Sequence, residues 1–283
     1  MIGTSFKLSI AEMCIHLHAE SSMMVLEDGY EPFLVNDNTI PEIDVHFIRQ
    51  KPIFNEAHFK LVFEAQNETQ RFYSIYKNAD GLCFIIYNQQ TIDEVQQIAY
   101  LNNDFDSWEI HSTDSVALKY PMGPILMHYL TLKTDAVLMH ASCAYDGKKG
   151  RMFSGFSGAG KSTMSKIWAD AGSVIINDDR LIIRKLEKEF FVYNTPMYYV
   201  DQSKKAPLDA IYLIRHASRN SIQKLQGAYA VSRIMAFCIQ NNFDSSFISK
   251  RINLFTEICS QASIFDLGVV PTPEIIDFIK ANE

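Results

Sequence analysis

Gly155-Phe156-Ser157-Gly158-Ala159-Gly160-Lys161-Ser162, GFSGAGKS in one-letter code, decides how the rest of the chain is read. The spacing G-x-x-x-x-G-K-S fits a phosphate-binding loop at every fixed position. Its three glycines let the main chain curl so that successive N–H groups point at phosphate oxygens. The helix that follows adds the positive end of its dipole. On this reading Gly155, Ser157, Gly158, Ala159, Gly160, Lys161, Ser162 and Thr163 bind a nucleotide's phosphates, and Lys161 reaches the β and γ phosphates. The Ser162 hydroxyl ligates Mg2+, which prefers hard oxygen ligands. A Gly/Ser-rich turn can match by chance, but here strand, loop and helix follow in the order the mechanism requires.

RMFS (151–154) reads as the strand entering the loop, and Gly172 as the stop of the helix leaving it. The next strand, SVIIND, runs into Asp178-Asp179. An acid at the end of an apolar strand is where a phosphoryl-transfer fold places its second metal-positioning carboxylate. Side chains alternate along an extended chain, so one acid can face the metal and the other an incoming hydroxyl. The bland alternative is a turn, where Asp is common; the upstream loop tips the balance towards function. His140 opens HASCAY just before the GKKG hairpin turn. Taken alone, a histidine at such a place is more often structural than catalytic.

Working outward, PMGPILMHYLTLKTD (121–135) reads as a helix and VLMHASCAYD (137–146) as a strand. RLIIRKL, EFFVYN, PLDAIYLIRHA and SIFDLGVV are further strands, while AYAVSRIMAFCI, ISKRINLFTEICSQ and PEIIDFIKANE have helical spacing. Alternation of strands and helices from residue 120 onward predicts an α/β domain. Before it lie short alternating runs rich in Phe, Ile, Val and Tyr, such as CIHLHA, IDVHFIR and RFYSIYK, separated by LEDGY, NDN, QNET and NADG. That first third is read as β-rich, with no nucleotide, metal or catalytic pattern. TIDEVQQIAYL (91–101) fits either a helix or a strand. The polar stretch NNDFDSWEIHSTDS (102–115) is taken as the boundary, giving a β-rich N-terminal domain over 1–115 and a catalytic domain over 116–283. The N-terminal domain either recruits the substrate or completes the core.

The 283 residues are 47% hydrophobic and carry a formal charge of −7. That balance argues against nucleic acid or an anionic membrane as partner. Cys14, Cys83, Cys143, Cys238 and Cys259 make no CxxC pair, and their odd number argues against a disulfide framework. A reducing, cytoplasmic compartment is expected. No run approaches the roughly 20 apolar residues of a spanning helix, and MIGTSFKLSI lacks the pattern of a secretory leader.

His140, Gly155 to Ser162, Gly172 and Asp178-Asp179-Arg180 follow one another without a gap as in a known pattern. The pattern resembles the C-terminal catalytic domain of the HPr kinase/phosphorylase family, which phosphorylates a serine of a histidine-containing phosphocarrier protein. NTPMYYVDQSKKAPLDAIYLI (194–214) and QASIFDLGVVPTPEIIDFI (261–279) are similar to a broader branch of HPr-kinase-related proteins. The resemblance covers residues 117–280. It implies a P-loop kinase domain of phosphoenolpyruvate carboxykinase-like fold, built on a mixed sheet and using ATP and Mg2+. It implies transfer of the γ-phosphoryl group to a hydroxyl, with Asp178 as base, Asp179 and Ser162 on the metal, and His140 near the transferred group. The Gly-rich Glu- and Arg-containing signature of the bifunctional enzymes has no counterpart between 187 and 227, which leaves both phosphorylase activity and the carrier protein as substrate open. Asn194 replaces the branch's Gly before Thr195-Pro196, and Met197-Tyr198 stands where the branch has an aromatic first, as substrate-side variation.

The acceptor stays open between a protein serine, a modified peptide and a small molecule. Family members can form hexamers, but the element linked to that assembly has no counterpart here, which leaves a homo-oligomer open. Arg180, Arg215, Arg219 and Arg233 are equal candidates for a cation at the γ-phosphate, and Phe190, Phe191, Tyr193, Tyr198 and Tyr199 for core or a substrate groove. A carboxykinase-like enzyme acting on a small oxoacid and a nucleotide-responsive scaffold are the competing readings. A switch GTPase would need an N/T-K-x-D segment, which is not visible.

Overall fold

The computed structural model describes residues 3–20, 23–36, 38–91, 94–239 and 243–283. Asp37 of the NDN turn, and Ile92 and Asp93 of the segment that fitted helix or strand, lie outside the described residues. The chain forms two compact units, Met1–Thr134 with Pro196–Gln202 and Asp135–Thr195 with Ser203–Glu283.

The first unit is β-rich, as its alternating runs predict. Its strands are β1 (Thr4–Ile10), β2 (Met13–Ala19), β3 (Ile43–Arg49), β4 (Lys60–Gln66), β5 (Arg71–Lys77), β6 (Gly81–Tyr87), β7 (Val95–Asn102) and β8 (Ser107–Ser112). They form one sheet in the order β1-β2-β3-β8-β7-β6-β5-β4. β3 is parallel to both of its neighbours. The undecided segment is therefore strand from Val95 on. The stretch taken as a boundary holds β8, an interior strand whose Trp108 and Ile110 are buried. Its polar alternate positions hid the period of two. Helix α1 (Met122–Lys133) also belongs here, so the units divide after Thr134, beyond the expected boundary at 115. The reason is packing: Tyr129 meets Phe84 and Trp108 with ring centroids 5.1 and 5.9 Å apart. Pro196–Gln202 returns to this unit, and the Met197 carbonyl approaches Gly29 so closely that a Cβ there would lie 1.6 Å from it.

The second unit is the expected α/β domain. Its strands are β9 (Ala136–Tyr145), β10 (Gly150–Ser154), β11 (Val174–Asn177), β12 (Arg180–Leu186), β13 (Glu189–Asn194), β14 (Lys205–Pro207), β15 (Ala210–His216), β16 (Ser221–Leu225) and β17 (Ser263–Val269). Its helices are α2 (Lys161–Asp170), α3 (Gly227–Met235), α4 (Ser245–Gln261) and α5 (Ile275–Ala281). The sheet order is β14-β13-β12-β9-β10-β15-β17-β16, with β11 paired to β9. β15 is parallel to β10 and β17 while the other pairs are antiparallel, so the sheet is mixed. Helices cover both faces. Ile211 and Leu213 of β15 join a core with Ile234 of α3 and Phe255 of α4, while Tyr212 and Ile214 join Trp168 of α2 and Ile279 of α5.

An ion network locks β10 beneath α2. Arg151 is 3% exposed and lies 4.8 Å over the Trp168 ring. Its guanidinium donates to Asp146 (2.7 Å) and Glu283 (3.0 Å), and the Tyr212 hydroxyl donates to Glu283 as well (2.8 Å). Burial alone would raise both carboxyls. Hydrogen bonds from Arg151, Lys149 and Tyr212 outweigh it at Glu283, and those from the Lys149 backbone and Arg151 do so at Asp146, holding each pKa at about 2.

Arg151→Ala leaves Glu283 with Lys149 and Tyr212 and Asp146 with backbone N–H groups, and should cost about 1.5–3 kcal/mol, the scale of a lost hydrogen bond to a charged group. Both folded-state pKa values are depressed, so this stabilisation is complete above the ordinary values of 4.5 and 3.8 and is lost as pH falls to about 2. The wild-type melting midpoint should drop through that acid window, and the variant's curve should be flatter there. Parallel acid limbs in the two proteins would refute the network's role.

Candidate phosphate-binding site

β10 and β15 run parallel, so both deliver their carboxyl ends to one edge of the second unit's sheet, the usual place for a ligand in such sheets. The loop Gly155–Gly160 begins there. Gly158 and Gly160 take left-handed φ angles of 78° and 103°, which favour glycine over residues with a Cβ. Gly160 is the N-cap of α2 and provides no side-chain cap, so the first-turn N–H groups are available to an anion. Gly155 lies against β15, where an added Cβ would come within 2.8 Å of the Ile214 carbonyl and 2.9 Å of Ala159 Cβ. His216, at the end of β15, sets Nε2 2.8 Å from the Gly158 carbonyl.

Lys161 is 7% exposed, and its ammonium donates to the carbonyls of Gly155 (3.0 Å) and Phe156 (3.2 Å). Burial lowers its pKa, and the charge of Asp179 acts against that fall. Ser157, Ser162 and Thr163 are exposed, as is Phe156, whose ring meets Phe237 edge-on at 5.2 Å.

The acids arrive from the other side of β9. The register of β9 with β12 sets His140 opposite Arg180, and the Ala141 N–H donates to the Asp179 carbonyl at 3.1 Å. The buried Asn177 side chain accepts from the N–H groups of Asp178 (2.7 Å) and Asp179 (3.1 Å), which shapes the turn between β11 and β12. Asp179 then lies between a histidine and an arginine: His140 Nε2 is 3.7 Å from one oxygen, and Arg180 Nε donates to the other at 3.1 Å. Burial depresses the His140 pKa, the charges of Lys161 and Arg180 add to the fall, and Asp179 opposes it. Asp178 sits half-buried in the same turn.

The structure thus gathers Lys161, His140, Asp179 and Arg180 in mutual electrostatic reach. Arg215 and Arg233 are instead held by Asp266, at 3.0 and 3.3 Å. Of the five aromatic residues, Phe190 and Tyr193 are buried in the second unit, and Tyr198 and Tyr199 belong to the first unit. Sequence reasoning missed Asn177 and His216; the only signal for His216 is its place at the end of the strand beside the loop. The donor set suits a magnesium triphosphate. Ser162 and Asp179 offer hard oxygens, the loop and α2 offer N–H groups, and nothing lies within 4 Å of where a Gly158 Cβ would stand. No helix among the described residues is long and apolar enough to cross a membrane.

Residues 125–198, well under half of the chain, match the family model of phosphoenolpyruvate carboxykinase. This segment holds the loop, His140 and both acids, and it is the fold relationship that the sequence resemblance implies. Among solved structures, the HPr(Ser) kinase/phosphatase from Coxiella burnetii matches with 10% identity and a TM-score of 0.32, covering 51% of this chain and 94% of that one. No curated protein matches the sequence.

Gly155→Ala should force the loop away from the Ile214 carbonyl. The expected outcome is a loss of about 1–3 kcal/mol of stability, as for other overpacking substitutions, together with weaker binding of a fluorescent ATP analogue. Wild-type melting and wild-type binding in this variant would show that the close approach does not shape the loop.

Proposed function

We propose that the second unit is an ATP- and Mg2+-dependent kinase that transfers the γ-phosphoryl group to a hydroxyl. The observation carrying this reading is the convergence of Lys161, His140, Asp179 and Arg180 beside a glycine loop that opens a helix. A nucleotide's phosphates lie along the loop, and Lys161 leaves the carbonyls of Gly155 and Phe156 for the β and γ oxygens. Ser162 and Asp179 would hold the metal, which supplies charge neutralisation when bound. Asp178 takes the proton of the acceptor hydroxyl as the acceptor oxygen bonds to the γ phosphorus and the bond to the ADP oxygen breaks. His140, its pKa lowered by burial and by two neighbouring cations, hydrogen-bonds near the transferred group. Arg180 is the guanidinium for the charge that spreads over the γ oxygens. Positioning and electrostatics carry most of the rate.

A serine of a protein or peptide is the acceptor this reading favours, with the first unit as the element that recruits it. The phosphoenolpyruvate carboxykinase model match favours a second reading, an ATP-dependent enzyme on a small oxoacid. Release of carbon dioxide from oxaloacetate in the presence of ATP would support that one.

Lys161→Ala should lose productive triphosphate binding. Asp178→Asn spares the phosphate cradle, so ATP affinity should stay within about twofold while transfer falls by roughly 100-fold or more, the scale of lost general-base catalysis. The assay is a search for ³²P-labelled species in a lysate supplied with γ-labelled ATP, with the Asp178 variant as control. Transfer at the wild-type rate by Asp178→Asn removes the base assignment. Tight ATP binding with no labelled product and no turnover makes the protein a nucleotide-bound scaffold instead.

A further inference from the structure

One face of the first unit's sheet concentrates imidazoles. His16 and His18 lie two residues apart on β2, and Asp44 and His46 two apart on β3. Side chains two apart share a face, and the parallel register sets His16 beside Asp44 and His18 beside His46. His16 Nδ1 is 2.7 Å from one Asp44 oxygen and His18 Nε2 is 2.9 Å from the other. The ring of His18 stacks between those of His16 and His46, with centroids 5.0 Å from each. Among the described residues, this is the group in which three metal-type side chains bring ligand atoms within 4.8 Å of one another.

We propose that His16, His18 and Asp44 form a binding site for a divalent transition metal of the zinc class. The donor chemistry selects that class, because imidazole nitrogen suits zinc and its neighbours whereas magnesium and calcium take oxygen. Neighbouring ligand atoms around tetrahedral zinc, with bonds of about 2.0–2.1 Å, stand about 3.3 Å apart. The two nitrogen–oxygen separations, one to each Asp44 oxygen, fall about half an ångström short of that, and one ligand atom from each residue lies within 4.8 Å of the others, so side-chain rotations of modest size bring the three to a common ion. The Ser5 hydroxyl lies 3.0 Å from His16 Nε2, the outer partner that fixes a metal-bound histidine through its second nitrogen.

The imidazoles are 28% exposed and the carboxylate 47%. Three protein ligands with solvent access leave a fourth position for water or a ligand, the layout of an open zinc site. The neighbouring charges do not block it. Lys7, the β1 partner of His16, donates its ammonium to the Thr39 carbonyl, and Glu109, the β8 partner of His46, is engaged by His111. The metal would join β2 to β3, a parallel pair that no tight hairpin can brace. None of these residues belongs to the phosphate-binding loop, so the inference stands apart from the kinase reading.

The test is calorimetric titration of the full chain with Zn2+, with bound metal counted after dialysis. One tight equivalent is expected. His16→Asn and His18→Asn should each weaken it at least about tenfold, the lower end of what even an outer partner contributes, while Asp179→Asn should leave it unchanged. Zn2+ should raise the melting midpoint of the wild type but not of His18→Asn. Should the variants fail to fold, the wild type decides: one equivalent of Zn2+ must shift the ring signals of His16 and His18 in a nuclear magnetic resonance spectrum. Absence of tight binding overturns the proposal. So does binding that survives both histidine variants, which would assign the metal to cysteines or to the loop acids, and so does a wild type whose histidine signals stay in place.

Discussion

The close approach of the loop's first glycine to the end of β15 is the constraint on which the second unit's site depends. With Ile214 carbonyl and Ala159 Cβ both inside 3.0 Å of a would-be Cβ, residue 155 has no room for a side chain. The main chain must then curl through two left-handed positions before α2 begins. Along that path the Ala159 N–H donates to the Phe156 carbonyl, and the carbonyls of Gly155 and Phe156 accept from Lys161. A buried ammonium without partners would be expensive, and these carbonyls satisfy it.

A second consequence follows from strand order. Because β9 lies between β10 and β12, the loop at the end of β10 and the acids at the start of β12 flank the same stretch of β9. His140 sits in that stretch. Its imidazole therefore experiences Lys161, Asp179 and Arg180 at once, and the two cations and burial outweigh the carboxylate. Positive charge collects where phosphate charge would be stabilised, in a chain whose overall charge is negative. The charge of the whole says little about one site when the ions that matter are a few side chains within several ångströms.

The two units present contrasting donor sets. Around the loop the donors are a hydroxyl, carboxylates and backbone N–H groups, which fit a hard cation and phosphate. On the β2–β3 face they are imidazoles with one carboxylate, which fit a softer ion. The distinction is chemical and needs no bound ion to be read. It also shows why HLH in CIHLHA carried more information than its β-strand reading used: two histidines at i and i+2 in a strand share a face, and only the partner strand was missing.

The loop, the helix after it, the apolar strand ending in two acids and the β-rich start were all legible in the sequence, because glycine spacing and period-two alternation are local properties of the chain. β8 was not, since Ser107, Glu109 and His111 disguise a strand whose alternate residues Trp108 and Ile110 are core. The short edge strands β14 and β16 escaped for a related reason, having too few buried positions to show a period. Sequence by itself determined the curled backbone of residues 155–162, since conformation there follows from which residues lack a Cβ. Only the tertiary structure decided that Arg180 rather than Arg215 or Arg233 meets the acids, that α1 packs with the first unit, and that Asp44 joins two histidines well upstream of it. Each depends on strand register and pairing, and pairing between distant segments is set by the burial of whole faces rather than by any short run of residues.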